Sequence, residues 1–361
     1  MIKLIKPYIS YAEVQEHFQE IFESGWFTKG KFVEQFREDI KKYTGAKHAY
    51  LATSATTALT MALKAIDVKE GDEVIVSDFS FPATANVVED LGAIPIFADV
   101  SLETFNMLPE SLEAKITPKT KAVIFVDALG NPSGIHQIKA MCEIYSLPLI
   151  EDGACAIGSS ENSVRCGNIA DITCFSFHPR KLLTTGEGGA ITFNDEQYID
   201  FFEIKLNHGA KVENGKFDFV DFGYNYRLPE LQAVMGIHQV KKLDTIVQSR
   251  NIIRDVYISM LEPLGFEAQK ITKDVIYNVQ SMVFKVPVKI SRDGLIAYLK
   301  ENGIESTIGT YCLSGGTYYT KKYNDIQVNA KCLEGNTITL PCYDGVNTNL
   351  ITQKINEYLN A

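Results

Sequence analysis

A chain of 361 residues, 45% hydrophobic and 22% charged, is long enough for two domains and ordinary in composition for a globular protein. A formal net charge of -10 with no basic block argues against non-specific nucleic-acid binding, because nothing gathers cations along a phosphate backbone. Met1–Pro7 carries no apolar leader and no apolar run reaches about 18 residues, so no membrane span is expected and the chain reads as cytoplasmic.

In chain order, Glu13–Glu23 has helical spacing, and 24–30 is a turn holding the only tryptophan, Trp26. Phe32–Tyr43 then resumes a helix. From about residue 48 to 193, short apolar runs alternate with amphipathic stretches, the pattern of βαβ units and a mostly parallel sheet. The expected strands are Ala49–Leu51, Glu73–Val76, Ile94–Ala98, Ala122–Val126, Leu147–Glu151, Ile172–Phe177 and Ala190–Phe193. Leu59, Ala62, Leu63 and Ile66 keep helical spacing between two of them, as do Ile135, Ile138, Cys142 and Tyr145. A single helical connector is expected from Pro229 to about Asp255. An alternating strand over Gln280–Val288, a helix over Asp293–Asn302, a strand over Thr337–Pro341 and a final helix through Leu359 then suggest a smaller α+β unit. The division expected is 1–240 for a large α/β domain and 241–361 for the smaller one. Seven scattered cysteines with no C-x-x-C pair suit reduced thiols better than a disulfide framework or a zinc site.

One lysine is placed unusually. Lys181 lies between the apolar run ending at Phe177 and the turn Gly186-Glu187-Gly188-Gly189, after which another strand begins. Desolvation lowers the pKa of an amine, and a neutral amine can form a Schiff base with an aldehyde or ketone. Three further stretches supply what such chemistry needs. Thr53–Ala58 sets small and hydroxyl residues where a strand meets a helix, which is either a plain N-cap or an anion site. Asp152 stands at the C-terminal end of an apolar strand, where open α/β sheets bind ligands, and a protonated pyridine nitrogen is one candidate partner. Phe81 follows the Glu73–Val76 strand and offers an aromatic face. A lysine nucleophile, an anion-binding helix start, an aspartate and an aromatic are together the parts that hold pyridoxal phosphate. A dinucleotide-binding glycine pattern, a Walker lysine, a G-x-S-x-G elbow and a His-rich metal cluster are missing, so no metal is expected.

With these residues in view, the sequence resembles the DegT/DnrJ/EryC1/StrS group of fold type I pyridoxal-phosphate aminotransferases, which act on nucleotide-linked keto-sugars. The likeness runs from Ser24-Gly25-Trp26 to Leu340-Pro341. It rests on Ser176-Phe177-His178-x-x-Lys181 with Gly186-Glu187-Gly188-Gly189, on Gly71–Val76, on Gly223-Tyr224-Asn225-Tyr226-Arg227 and on Glu230-Leu231-Gln232-Ala233. The resemblance implies that Lys181 is the Schiff-base lysine, Asp152 the partner of the pyridine nitrogen and Phe81 the stacking ring. It implies that Ala55, Thr56 and Ser176 meet the cofactor phosphate, and that Asn225 reaches the phosphate of a neighbouring subunit in a homodimer with shared sites. Cys155 stands where many relatives carry Gln or His near the cofactor hydroxyl, and a thiol is a weaker donor. Thr310–Gly316 replaces a loop in which His is frequent, which points to an unusual substrate. His178, Tyr311 and Trp26 are candidates on the substrate side. The implied activity is amino transfer from glutamate to a nucleotide-linked keto-sugar, in making an amino sugar for a surface polysaccharide or related glycan. The same chemistry on a smaller phosphorylated ketone, or a non-catalytic regulator built on this fold, are the alternatives.

Overall fold

The computed structural model describes residues 1–213 and 215–360. Seven strands build its central sheet: β1 (His48–Ala52), β2 (Glu73–Ser77), β3 (Ile94–Ala98), β4 (Thr120–Val126), β5 (Leu149–Asp152), β6 (Ile172–Ser176) and β7 (Gly189–Phe193). Their order is β1-β7-β6-β5-β4-β2-β3. All neighbours from β6 to β3 are parallel, and β7 runs antiparallel to both β6 and β1. These are the seven strands expected, each within two residues of its reading. They were legible because β6 and β7 are buried at every position, so sheet-covering helices on both faces demand continuous apolar runs.

Helices Ala55–Ala65 and Ala83–Asp90 cover one face, packing Leu59, Ala62 and Val88 against Val76, Ile124 and Ile172. On the other face Ile135–Ile144 packs Ile138 and Cys142 against Val123 and Leu149. Helices Tyr11–Ser24 and Lys31–Thr44 end on Gly25 and Gly45, at φ 68° and 79°, and pack Ile21, Phe36 and Ile40 against the β1–β7–β6 side.

The connector differs from its reading. It is two helices, Glu230–Val240 and Leu243–Leu261, separated by a turn at Lys241-Lys242. No Gly or Pro marks the break. Its reason is tertiary: the first segment packs on the two N-terminal helices and the second on Thr348–Leu359, and the turn lets Val240 and Leu243 both be buried. The strand expected over Gln280–Val288 is confined to Met282–Lys285. It does not alternate between buried and exposed, because Met282 and Phe284 enter the core beneath helix Arg292–Glu301 while Val283 packs against Phe79, Phe105 and Ala128. That strand belongs to an antiparallel sheet ordered Glu267–Ala268, Met282–Lys285, Thr337–Leu340, Thr307–Ile308. Among the described residues no helix is long and apolar enough to cross a membrane.

Candidate active site

Phe79–Phe81 follows β2, Asp127 follows β4, Asp152 ends β5 and Lys181 follows β6, so four parallel strands deliver these residues to one end of the sheet. There they line a cavity of about 210 Å³, closed from the C-terminal side by Gln280 and Thr307–Tyr311. Of the residues singled out from sequence, Lys181, Asp152, Phe81, Cys155 and Tyr311 line this cavity.

The Lys181 Nζ donates to Cys155 Sγ at 3.0 Å. Asp152 is buried, and its carboxylate accepts from Thr84 Oγ1 at 2.7 Å and from the Ala154 amide at 3.2 Å. Burial raises its pKa above the ordinary carboxylate value, while Thr84, Ala154 and the charge of Lys181 pull it back down. Phe81 is 64% exposed, with its ring edge-on to Tyr311 at 6.3 Å.

Ser54 is the N-cap of helix Ala55–Ala65, accepting the Thr57 amide at 3.1 Å, so the plain capping role holds for Ser54 itself. The first amides of a helix have no acceptor inside it, which leaves those of Ala55 and Thr56 directed outward from the positive end of the helix dipole. Gly189 brings that helix start onto the sheet. A Cβ there would stand 2.6 Å from Ser54 C and 2.7 Å from Ser54 O, and Gly189 pairs with Ser176 across β6–β7. Ser176 Oγ, on the same strand end, accepts among the described residues only the long His178 amide bond of 3.3 Å.

His178, Asn225 and Trp26 are not among the residues lining this cavity. The His178 ring accepts the Arg180 amide at 3.2 Å and lies 4.0 Å from Glu187, and burial lowers its pKa. Asn225 is exposed and bridges to Asn207, while Trp26 lines a second cleft with Lys29, Lys31 and Glu230.

Several contributors were missed from sequence. Thr84 holds Asp152 and is held in turn by Ser80 at 2.9 Å; a hydroxyl on the inward face of an apolar helix was the available signal. Asp127 is fully buried next to Glu151, and burial together with that carboxylate pushes its pKa well above the usual range. Glu151 accepts from the Gly167 amide at 3.1 Å and Thr173 Oγ1 at 2.6 Å, a structural role. Asp78 carries no sequence signal at all. It accepts Ser314 N at 2.7 Å and Ser314 Oγ at 2.6 Å, tying the Tyr311 loop to the segment that carries Phe81.

Chemically, the cavity offers an amine, a desolvated carboxylate and an aromatic face; Ala55, Thr56 and Ser176 are not among its lining residues.

Residues 9–358 match the DegT/DnrJ/EryC1/StrS aminotransferase family. The chain is 33% identical to a GDP-perosamine synthase of Vibrio cholerae over 309 residues, covering 85% of this chain and 84% of that protein. It is 34% identical to the spore coat polysaccharide biosynthesis protein SpsC of Bacillus subtilis, over 93% of this chain and 91% of that one. Among solved structures it is similar to PseC of Helicobacter pylori, an aminotransferase involved in the biosynthesis of pseudoaminic acid. The TM-score is 0.93 at 25% identity, covering 99% of each chain.

Proposed function

Because this chain belongs to the DegT/DnrJ/EryC1/StrS aminotransferase family and works with pyridoxal phosphate, we infer that it moves an amino group from glutamate to the keto group of a nucleotide-linked sugar. The observation that carries this reading is the meeting of Lys181, Cys155 and Asp152 in one cavity, with the lysine amine 3.0 Å from the thiol. A nucleotide-linked acceptor is supported by the relative named as a GDP-perosamine synthase, and a role in glycan synthesis by the spore coat relative.

The residues fit the cofactor. The close approach at Gly189 holds the Ala55 and Thr56 amides and Ser176 at one place, a cradle for a dianionic phosphate. Asp152, desolvated and held by Thr84, gains most from a cationic ring nitrogen set against it. When bound, pyridoxal phosphate supplies an aldehyde and an electron-poor ring that takes up charge from the substrate carbon.

The chain's own residues do the rest. Lys181 would hold the cofactor covalently through Nζ, and its free amine would carry the proton from the donor's Cα to the cofactor carbon that bears the nitrogen. Asp152 keeps the ring nitrogen protonated. Phe81 covers one ring face, and Cys155 orients the amine and meets the cofactor hydroxyl. Tyr311 stands on the substrate side, while His178 lies outside the cavity lining. In this reading residues 1–240 form the cofactor-binding unit and 241–361 the smaller unit that closes the cavity. Asn225, exposed and away from its own chain's cavity, serves the phosphate of a second copy in a homodimer with shared sites.

Purified protein is expected to show a visible cofactor band that glutamate bleaches and a keto-sugar nucleotide restores. Lys181→Ala is expected to turn over no substrate, and multiple turnovers by that variant would remove the role given to this lysine. Restoration by small phosphorylated ketones but by no nucleotide-linked keto-sugar would replace the acceptor class.

A further inference from the structure

Lys181 is fixed in its loop by a single turn of backbone, its amide donating to His178 O at 2.8 Å, before the chain returns through Thr185 N to Phe177 O at 2.9 Å. Its two neighbours are held from outside that loop, and by one side chain. Gln280 Nε2 donates to Arg180 O at 2.6 Å, and Gln280 Oε1 accepts the Leu182 amide at 2.7 Å. Gln280 is itself buried and lines the cavity. A primary amide presents a donor and an acceptor in one plane, which lets a single residue grip the backbone on both sides of the lysine.

The presentation of Gln280 is rigid. Val279 adopts φ 52°, a left-handed conformation that a β-branched residue seldom takes and that persists only where surroundings impose it. Arg250 supplies that constraint. Its Nε donates to Val279 O at 2.8 Å, its Nη2 to Gln280 O at 3.0 Å and its Nη1 to Cys342 O. Arg250 is buried, and among the described residues no carboxylate lies within ion-pair distance of it, so its charge is satisfied by carbonyls. Asn278, two residues before Gln280, treats the other cavity loop in the same way. Its Nδ2 donates to Cys155 O at 2.7 Å and Ile157 O at 2.9 Å, and its Oδ1 accepts the Gln280 amide at 2.8 Å. Gly130 admits this side chain, since a Cβ there would stand 2.2 Å from Asn278 Oδ1.

We propose that Gln280 is a positioning residue for Lys181, gripping Arg180 O and the Leu182 amide so that the lysine amine is held at the Cys155 thiol. Asn278 and Gln280 together fix the two loops against each other, so the distance between Lys181 and the residues after Asp152 is set by the C-terminal part of the chain. The inference rests on the reading of Lys181 as the covalent residue.

The test compares Gln280→Met, which keeps the side chain's length without its hydrogen bonds, with Gln280→Glu, which keeps an acceptor for Leu182 but no donor for Arg180. In cofactor-free protein, hydrogen exchange of the Leu182 amide is expected to quicken about tenfold in Gln280→Met and to change less in Gln280→Glu. In the cofactor-loaded enzyme both variants are expected to lower kcat, by up to about a hundredfold, with a much smaller change in the KM for glutamate. Unchanged Leu182 exchange and unchanged kcat in a folded Gln280→Met protein would overturn the proposal. Should Gln280→Met not fold, Gln280→Glu decides: a lowered kcat supports the grip and a wild-type kcat overturns it. Borohydride reduction of the wild-type holoenzyme, followed by peptide mapping, separates this from its premise. An adduct away from Lys181 removes the premise, whereas an adduct on Lys181 with unaltered variants removes only the role of Gln280.

Discussion

The Cys155 thiol accepts the Lys181 amine at 3.0 Å, so a small, polarizable group takes the position beside the lysine. Cys155 is half-buried and Cys332 exposed, while the other five thiols are buried. Iodoacetamide applied to cofactor-free protein should therefore label Cys332 and Cys155. A carbamidomethyl group on Cys155 occupies the space next to Lys181, and labelled Cys332→Ser protein is expected to lose the visible cofactor band. Cofactor added first should protect it. Cys155→Ser keeps a hydrogen-bonding atom and is expected to retain kcat within about tenfold, the effect of one modest hydrogen bond. A full band after complete labelling of Cys155 would place the thiol outside the cofactor's space.

Gly189 tests the phosphate cradle without touching a proposed ligand. A Cβ there meets backbone atoms of Ser54 at 2.6 Å and 2.7 Å, and backbone has no rotamer to yield. Gly189→Ala is expected to cost about 1–3 kcal/mol of stability and to weaken cofactor binding roughly tenfold as the helix start moves off the sheet. Gly335 is the control. It is in helix Val328–Asn336 with nothing within 4 Å of its Cβ position, so Gly335→Ala should be neutral or stabilise by up to about 1 kcal/mol. Thermal melts with and without cofactor read both effects, and an undiminished cofactor affinity in Gly189→Ala would count against the cradle.

The sheet was legible because burial on both faces writes itself into the sequence as apolar runs, and Lys181 and Asp152 were legible because each follows such a run at a strand's C-terminal end. What escaped was set by contacts between residues far apart in the chain. Gln280 read as the first residue of a strand, yet its side chain holds the backbone on both sides of Lys181 and the strand begins only at Met282. Thr84 belongs to no motif of the sequence, and only the fold brings its hydroxyl to Asp152. The break at Lys241-Lys242 had no Gly or Pro to announce it, since two packing partners in different directions, not backbone chemistry, end the first helix there.

Asp78 makes stability depend on pH in a defined sense. Burial pushes its carboxyl to about 6, with Asp99 adding to the rise and Ser314 and Cys312 opposing it through hydrogen bonds. A carboxyl whose folded value lies above its unfolded value holds its proton more tightly in the folded protein. Its contribution is therefore most favourable below the unfolded value of 3.8 and is lost as pH rises to about 6. Between those limits the difference corresponds to on the order of 3 kcal/mol. Wild type should thus lose stability relative to Asp78→Asn as pH rises from 4 to 6.5, and the difference should level off above that. Urea denaturation of both proteins across the range reads this directly, and a difference independent of pH would mean that Asp78 does not titrate there.

The hairpin formed by Ala210–Glu213 and Lys216–Phe219 gives the shared-site reading a test independent of cofactor chemistry. Phe217 and Phe219 are 61% and 63% exposed, Val212 is 65% exposed, and Phe222 follows at 68%. A two-stranded ribbon is marginal on its own in water, and exposed apolar side chains grouped on it form a surface suited to a partner. The ribbon leads directly to Gly223–Arg227, the segment that carries Asn225. Phe217→Ser with Phe219→Ser removes the apolar surface while touching no core residue, and its effect on the folded single chain should stay within about 1 kcal/mol. Sedimentation is expected to show that the double variant is a monomer where the wild type is a dimer, with weakened cofactor binding and little turnover. Mixing Lys181→Ala chains with Asn225→Ala chains then separates a shared site from a merely adjacent one. If Asn225 serves the neighbouring copy, a mixed dimer pairs both lesions in one site and leaves the other intact, so activity should return to about half of wild type per mixed dimer. If each chain served itself, every site in the mixture would carry one lesion and nothing would be restored.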